Sequence, residues 1–221
     1  MTMRERLAAF FGGTTVNAQA CEAVHAEIRA NRFVLADENG KTRAVLGMLK
    51  NGPGLNLLDE NGGTRAALAV GEKGPALVLW GENDKPRAVL SVTKGGAELA
   101  LWDESGKIRA VQLSLIKDGP VLLLSDKSGN GRVMLDVLKD GSGLSVRDEN
   151  GRPRVGVFVT ENGPELCLMD GNGKRCAVLR ANEEGPAGLG LWDENGKLRA
   201  TLHVAKDGPV LQLFDENGRN I

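Results

Sequence analysis

Through most of the chain apolar residues recur at every second position, in short runs closed by polar, glycine-rich punctuation. Leu55 and Leu57, Leu77 and Leu79, and Leu99 and Leu101 precede a polar pentad; Ala66, Leu68 and Val70, or Ala88, Leu90 and Val92, follow one. A period of two is the signature of half-buried β-strands. The pentad recurs as DENGK from Asp37, DENGG from Asp59, GENDK from Gly81, DESGK from Asp103, DKSGN from Asp126, DENGR from Asp148, DGNGK from Asp170, DENGK from Asp193 and DENGR from Asp215. Its intervals are 22, 22, 22, 23, 22, 22, 23 and 22 residues. Midway between pentads stands a second mark: KNGP ending at Pro53, EKGP at Pro75, KDGP at Pro120, ENGP at Pro164, EEGP at Pro186 and KDGP at Pro209, with TKGG at 93–96 and KDGS at 139–142 as variants. Asp and Asn accept hydrogen bonds from the backbone two residues on, and Gly takes the positive φ of tight hairpin loops, so both marks read as turns. Each unit is then one β-hairpin, repeated about eight and a half times from Phe33 to Ile221.

Composition sharpens this reading. The chain has 30 Gly but only 5 Phe, 3 Trp and no Tyr, so slim Leu, Ala and Val rungs stand where most domains place aromatics. The pattern resembles bacterial tandem β-hairpin repeat proteins built on LxLxDxxGKxRAxL, and more distantly the hairpin solenoids that bind choline or glucan in cell walls. That resemblance implies an all-β repeat fold and is silent about activity. A hairpin solenoid or stack packing its Leu/Ala/Leu/Val face toward a shared axis is the expected architecture. A β-propeller is the alternative; it requires alternate repeats to differ, and the residue before the pentad (Leu58, Trp80, Trp102, Ser125, Arg147, Met169, Trp192, Phe214) shows no two-step alternation. The two 23-residue intervals place extra residues near Gln112 and Ala187.

The first residues are not repeats. Residues 1–31 read as an N-terminal arm or cap, with Cys21, Val24 and Ile28 at helical spacing after Asn17, and 32–221 as the repeat domain. Ala18–Gln19–Ala20 has the small-x-small form of a cleavage site, but the apolar stretch ahead of it is short and broken by Gly12 and Gly13, which argues against a signal peptide. A cytoplasmic or cell-surface-associated protein with no transmembrane span is expected. The ninth unit stops at Ile221 with its second strand missing, leaving an unpaired edge.

Charge narrows the partners. Lys and Arg number 28 against 29 Asp and Glu, a net charge of −1 that does not recruit nucleic acid. The most regular polar feature is an arginine six positions after each pentad start: Arg43, Arg65, Arg87, Arg109, Arg132, Arg154 and Arg199. Such a ladder pairs with turn carboxylates or presents a linear array to a polyanion. The Asp-rich turns lack the glycine position and the closing Glu of a calcium loop. Trp80, Trp102, Trp192 and Phe214 hold one equivalent position and form the candidate surface for a glycan or protein partner. In the seventh unit Cys176 replaces the ladder arginine while Cys167 enters the preceding strand. A two-residue loop at Gly171–Asn172 sets these thiols opposite each other, and a longer loop separates them by one rung. No catalytic motif is present, His25 and His203 have no nucleophile or ligand motif beside them, and no cofactor is implied. The sequence therefore points to a non-enzymatic structural β-repeat, a rigid scaffold that joins end to end with copies of itself, with a binding module or adhesin as the alternative.

Overall fold

In a computed structural model of the chain the described residues are 28–107, 109–181 and 187–221. Among them there is no helix, and the strands of one antiparallel sheet account for most of the chain. They are β1 (Arg32–Ala36), β2 (Thr42–Leu49), β3 (Gly52–Leu58), β4 (Thr64–Gly71), β5 (Gly74–Trp80), β6 (Pro86–Thr93), β7 (Gly96–Trp102), β8 (Arg109–Ile116) and β9 (Gly119–Ser125). The series continues with β10 (Gly131–Leu138), β11 (Gly141–Arg147), β12 (Pro153–Thr160), β13 (Gly163–Met169), β14 (Arg175–Arg180), β15 (Gly188–Trp192), β16 (Leu198–Ala205) and β17 (Gly208–Leu213). Every pairing joins strands consecutive in the chain, so the sheet is an open meander in which β1 and β17 each have a single strand partner. This is a stack of hairpins; the propeller, which needs separate blades, is excluded. The compact unit Arg32–Ile221 holds the whole sheet, while the segment expected to be helical, 17–30, falls almost wholly outside the described residues.

The two turn types have different mechanics. At the pentads the fourth residue donates its N–H to the carbonyl of the first, as from Gly151 to Asp148 (3.0 Å), and the first donates back to the fifth, as from Asp148 to Arg152 (2.9 Å). That is a type I turn closed by a left-handed residue, and Gly151 sits at φ 75°. The Asp carboxylate braces the loop: in most units its Oδ1 accepts the N–H groups of the third and fifth residues, at 2.9 and 3.0 Å for Asp148. The third unit exchanges the ends of its pentad, so Asp84 at φ 57° takes the left-handed position normally held by Gly. At the other edge a two-residue loop joins Thr93 to Gly96, whose φ is 124° and whose missing Cβ would lie 1.7 Å from the Leu115 carbonyl oxygen of the next hairpin. Only Gly lets successive loops approach this closely.

After each of the first eight pentads one residue is extra, forming a β-bulge. Leu57 pairs with Ala66 and Leu58 with Thr64, which leaves Arg65 without an opposite number. The same register puts Arg43, Arg87, Arg132, Arg154, Cys176 and Arg199 in the bulge. The fourth unit differs, because Trp102 pairs with Arg109 and Leu101 with Val111, so Ala110 is the bulged residue. The additional residue of that 23-residue interval falls ahead of this bulge and not near the expected Gln112: six residues separate Trp102 from its partner Arg109, where five separate Leu58 from Thr64. Residues 182–186, ahead of Ala187, lie outside the described residues.

Register also sorts the side chains into two faces. One carries Leu, Ala, Val and Pro from nearly every strand; on β5 and β6 these are Pro75, Leu77 and Leu79 against Ala88, Leu90 and Val92. The other carries small or polar residues with scattered aromatics, such as Ala76, Val78 and Trp80. The Leu face was expected to be the core, and it is not. Among the described residues the buried apolar side chains are Ala100, Cys167 and Val178, all on the small-residue face, and buried Ser145 joins them there. Most of the leucines stay open, as at Leu55 (37% exposed) and Leu211 (66%), while Leu122 and Leu189 are half-buried. The physical reason is topological: a meander pairing only chain neighbours is one layer thick, and nothing in the described sheet returns to cover its outer face.

Candidate functional site

Three surfaces of the sheet carry the side chains singled out above. The first is the pentad edge. Placed in bulges, the arginines turn back to their own turns: Arg43 lies 4.0 Å from Asp37, Arg132 3.2 Å from Asp126, Arg154 3.6 Å from Asp148 and Arg199 3.6 Å from Asp193. Arg65 pairs with Asp59 and also with Asp84 of the next turn (3.1 Å). Ladder guanidinium groups also donate onward to the carbonyl that closes the next first strand, from Arg87 to Trp102 (3.2 Å), Arg132 to Arg147 (3.0 Å) and Arg154 to Met169 (3.1 Å). Each ladder arginine that makes both contacts ties its own loop to the following hairpin. Arg109, shifted by the extra residue, instead meets Glu98 on β7 at 2.7 Å and lies over the Trp102 ring at 5.1 Å.

A second set of links along this edge was not assigned from the sequence, although the pentads display it. The fifth pentad residue reaches the backbone of the next turn: Lys174 donates to the Glu194 carbonyl (3.2 Å), Lys197 to that of Glu216 (2.8 Å) and Arg152 to that of Gly171 (2.6 Å). The recurrent basic residue in DENGK and DENGR is its signature. Backbone N–H groups within the turn hold the carboxylates of Asp59, Asp126, Asp148, Asp170 and Asp193 below their ordinary range. The N–H of Gly63 does so most for Asp59, and those of Arg152, Lys174 and Lys197 most for Asp148, Asp170 and Asp193; burial opposes the shift in each. At Asp126 the opposing burial is the strongest influence, outweighed together by the Ser128 and Asn130 N–H groups and Arg132.

The second surface is the small-residue face with its aromatics. Trp80, Trp102 and Trp192 end β5, β7 and β15, and Phe214 directly follows β17, so no two sit on adjacent strands. With β6 between them, Trp80 and Trp102 are about 10 Å apart in the sheet and do not form one aromatic cluster. Trp80 lines an open cleft of about 400 Å³ with Asn56, Thr64 and Asp84. The Trp192 ring covers Gly190, whose absent Cβ would lie 2.4 Å from it, and lines a cleft of about 320 Å³ with Arg180 and His203. Phe158, not singled out from the sequence, covers Gly143 and Gly156 in the same manner. Rings laid over glycine backbone restore the contacts a missing side chain leaves out.

Beside Phe158 opens a cleft of about 1,100 Å³, between the turns at Lys139–Asp140 and Glu161–Asn162. Glu165 on its wall bridges Arg175 (3.1 Å) and Arg180 (2.9 Å). Cys167 lies just beyond, fully buried opposite Val178, and the bulge sets Cys176 away from the position facing it. Both thiols are free, and burial pushes that of Cys167 up, so it is a packing group in this arrangement.

The third surface is the exposed Leu face. Residues of the middle row, such as Leu77 opposite Leu90 and Leu99 opposite Leu113, meet only their strand neighbours. Across all three surfaces the polar chemistry repeats from unit to unit, and among the described residues no group of three or more His, Cys, Asp or Glu converges to hold a metal. No protein-family model matches the sequence, and no curated protein matches it as a relative.

Proposed function

We propose that the protein is a non-enzymatic structural scaffold that joins copies of itself edge to edge. The observation that carries this reading is the repetition: each hairpin meets only its two chain neighbours, and its polar side chains are engaged in tying one turn to the next. An active site needs one irregular constellation, whereas equivalent positions repeated along a sheet suit a rigid spacer. The outer edges of β1 and β17, which have no second strand partner among the described residues, supply the joint. After the last pentad the chain turns back, with Phe214 bridging Asn220 and the Ile221 N–H meeting the Leu213 carbonyl at 2.9 Å, so the ninth hairpin is begun on the outer side of β17. The Phe214 N–H points inward to Arg199 (2.9 Å), which by alternation leaves Leu211 with its backbone N–H facing the open edge. An unpaired edge is a template for another strand.

Negative-stain microscopy of the full chain tests this. Filaments or particles longer than one sheet, about 80 Å for strands about 4.8 Å apart, are the expected result. Leu211→Pro removes the outward N–H without touching the β16 ladder and shortens them. Uniform single-sheet particles from the unmodified protein overturn the reading. The open clefts at Trp80 and Trp192 favour a second reading, a binding module for a surface glycan or protein; retention on peptidoglycan that Trp80→Ala and Trp192→Ala abolish would select it.

A further inference from the structure

The Leu face is the largest feature that edge joining leaves unused. Its three rows run across the sheet, and Ser142 alone among their described positions is polar. With strands about 4.8 Å apart and side chains about 6.8 Å apart along each strand, the face spans roughly 1,500 Å² in projection. A standard protein interface buries about 800 Å² on each side, and contiguous exposed apolar patches on monomers rarely exceed a few hundred Å². Leu90 and Val92 are 50% and 49% exposed, and Met48 is 70% exposed. No neighbouring element of the sheet shields them.

We propose that this face packs against the same face of a second copy, giving a two-layer sandwich. Three observations select that occupant. In the row nearest the pentads large and small side chains alternate across the strands at both ends of the sheet, as Leu57, Ala66, Leu79, Ala88, Leu101 and as Leu168, Ala177, Leu191, Ala200, Leu213, with a run of valines at Val133, Val146 and Val155 between them. A facing copy offset by one strand sets each leucine over the other's alanine, while the middle row presents leucine on both sides. The net charge of −1, with acidic and basic groups balanced along the turns, gives two copies no reason to repel and gives an anionic lipid surface no basic rim to hold it. The residues ahead of β1 contain only a handful of large apolar side chains, too few to cover a face that crosses every strand. Two sheets of identical twist also stack in the aligned mode, with their backbones about 10 Å apart.

Sedimentation velocity on the full chain over a wide concentration range is the test. The expected species has twice the 23.4 kDa chain mass, or multiples of that pair where edges also join. Placing three charges on the middle row, Leu90→Glu, Leu99→Glu and Leu113→Glu, weakens self-association at least about a hundredfold, because each carboxylate is stranded in an apolar interface. Ser91→Glu with Gln112→Glu, on the other face of the same strands, leaves the mass unchanged. Peroxide oxidation of the unmodified protein gives an answer independent of whether the triple variant folds: Met48 oxidises slowly while the protein is associated and faster once dilution dissociates it. A monomer at every concentration overturns the proposal, as does one that floats with neutral phosphatidylcholine vesicles, which assigns the face to lipid. Dimers that persist in the triple variant and disappear with Leu211→Pro overturn it in favour of edge pairing alone.

Discussion

The two faces of the sheet are built from alternate residues of the same strands, yet they obey different constraints. On the small-residue face, backbone approaches backbone and aromatic rings lie over glycine, so geometry is tight and local. On the Leu face, side chains stand in open rows whose contacts within one chain are few. The first face holds the hairpins in shape, and the second is left uncovered by the described sheet. Substitutions that act on one and spare the other separate these roles.

The largest effect belongs to the tight side. Gly96→Val forces a Cβ against the Leu115 carbonyl at a positive φ, and a loss of about 3 kcal/mol is expected from urea unfolding. On the open side, Leu90→Ala costs about 2–3 kcal/mol where the face is covered and under about 1 kcal/mol where it is not, so its effect grows with protein concentration. A concentration-independent loss would erase the distinction between the faces. Gly190→Ala displaces the Trp192 ring at a cost of about 1 kcal/mol, visible as a red shift in its emission when Trp80 and Trp102 are replaced by Phe.

The pentad edge responds more gently. Arg154→Ala, which removes a partly exposed ion pair and a hydrogen bond to Met169, costs about 0.5–1 kcal/mol. Acid acts on the same edge. Asp59, Asp126, Asp148, Asp170 and Asp193 have folded pKa values below the unfolded 3.8, so their contribution is complete above that value and is lost as the pH falls through the folded values. The urea midpoint therefore drops below about pH 4, and Asp148→Asn removes that residue's share of the slope. Last, with no change in stability, iodoacetamide labels Cys176 in the folded protein and leaves buried Cys167 unmodified; equal labelling would show that the tight face opens.

Much of this was readable in advance, for reasons that differ by level. Strand order and both turns were legible because alternation and Asp–Gly chemistry are local properties: the pentad at Asp148 states its loop within five residues. The bulge was not, since Arg154 looks the same whether its strand gains a residue or not. That one residue decides which position faces Cys167, and it settles on Val178. Nor could the sequence say which face is inward. Leu77 and Leu90 read as core because apolar alternation implies something to pack against, and a single chain's pattern carries no information about whether that layer lies in the same molecule. The clefts along the small-residue face were hidden for a third reason: they arise where rings lie over glycines contributed by neighbouring strands, a long-range coincidence.

The pairing of each strand only with its chain neighbours bears on how such a protein changes over time. Duplicating or deleting one 22-residue unit adds or removes two strands, about 9.6 Å of sheet, and disturbs no contact beyond the junction. Length is thus inherited as a count of hairpins. A lineage can lengthen or shorten its span in fixed steps while every turn, bulge and leucine row keeps its rule.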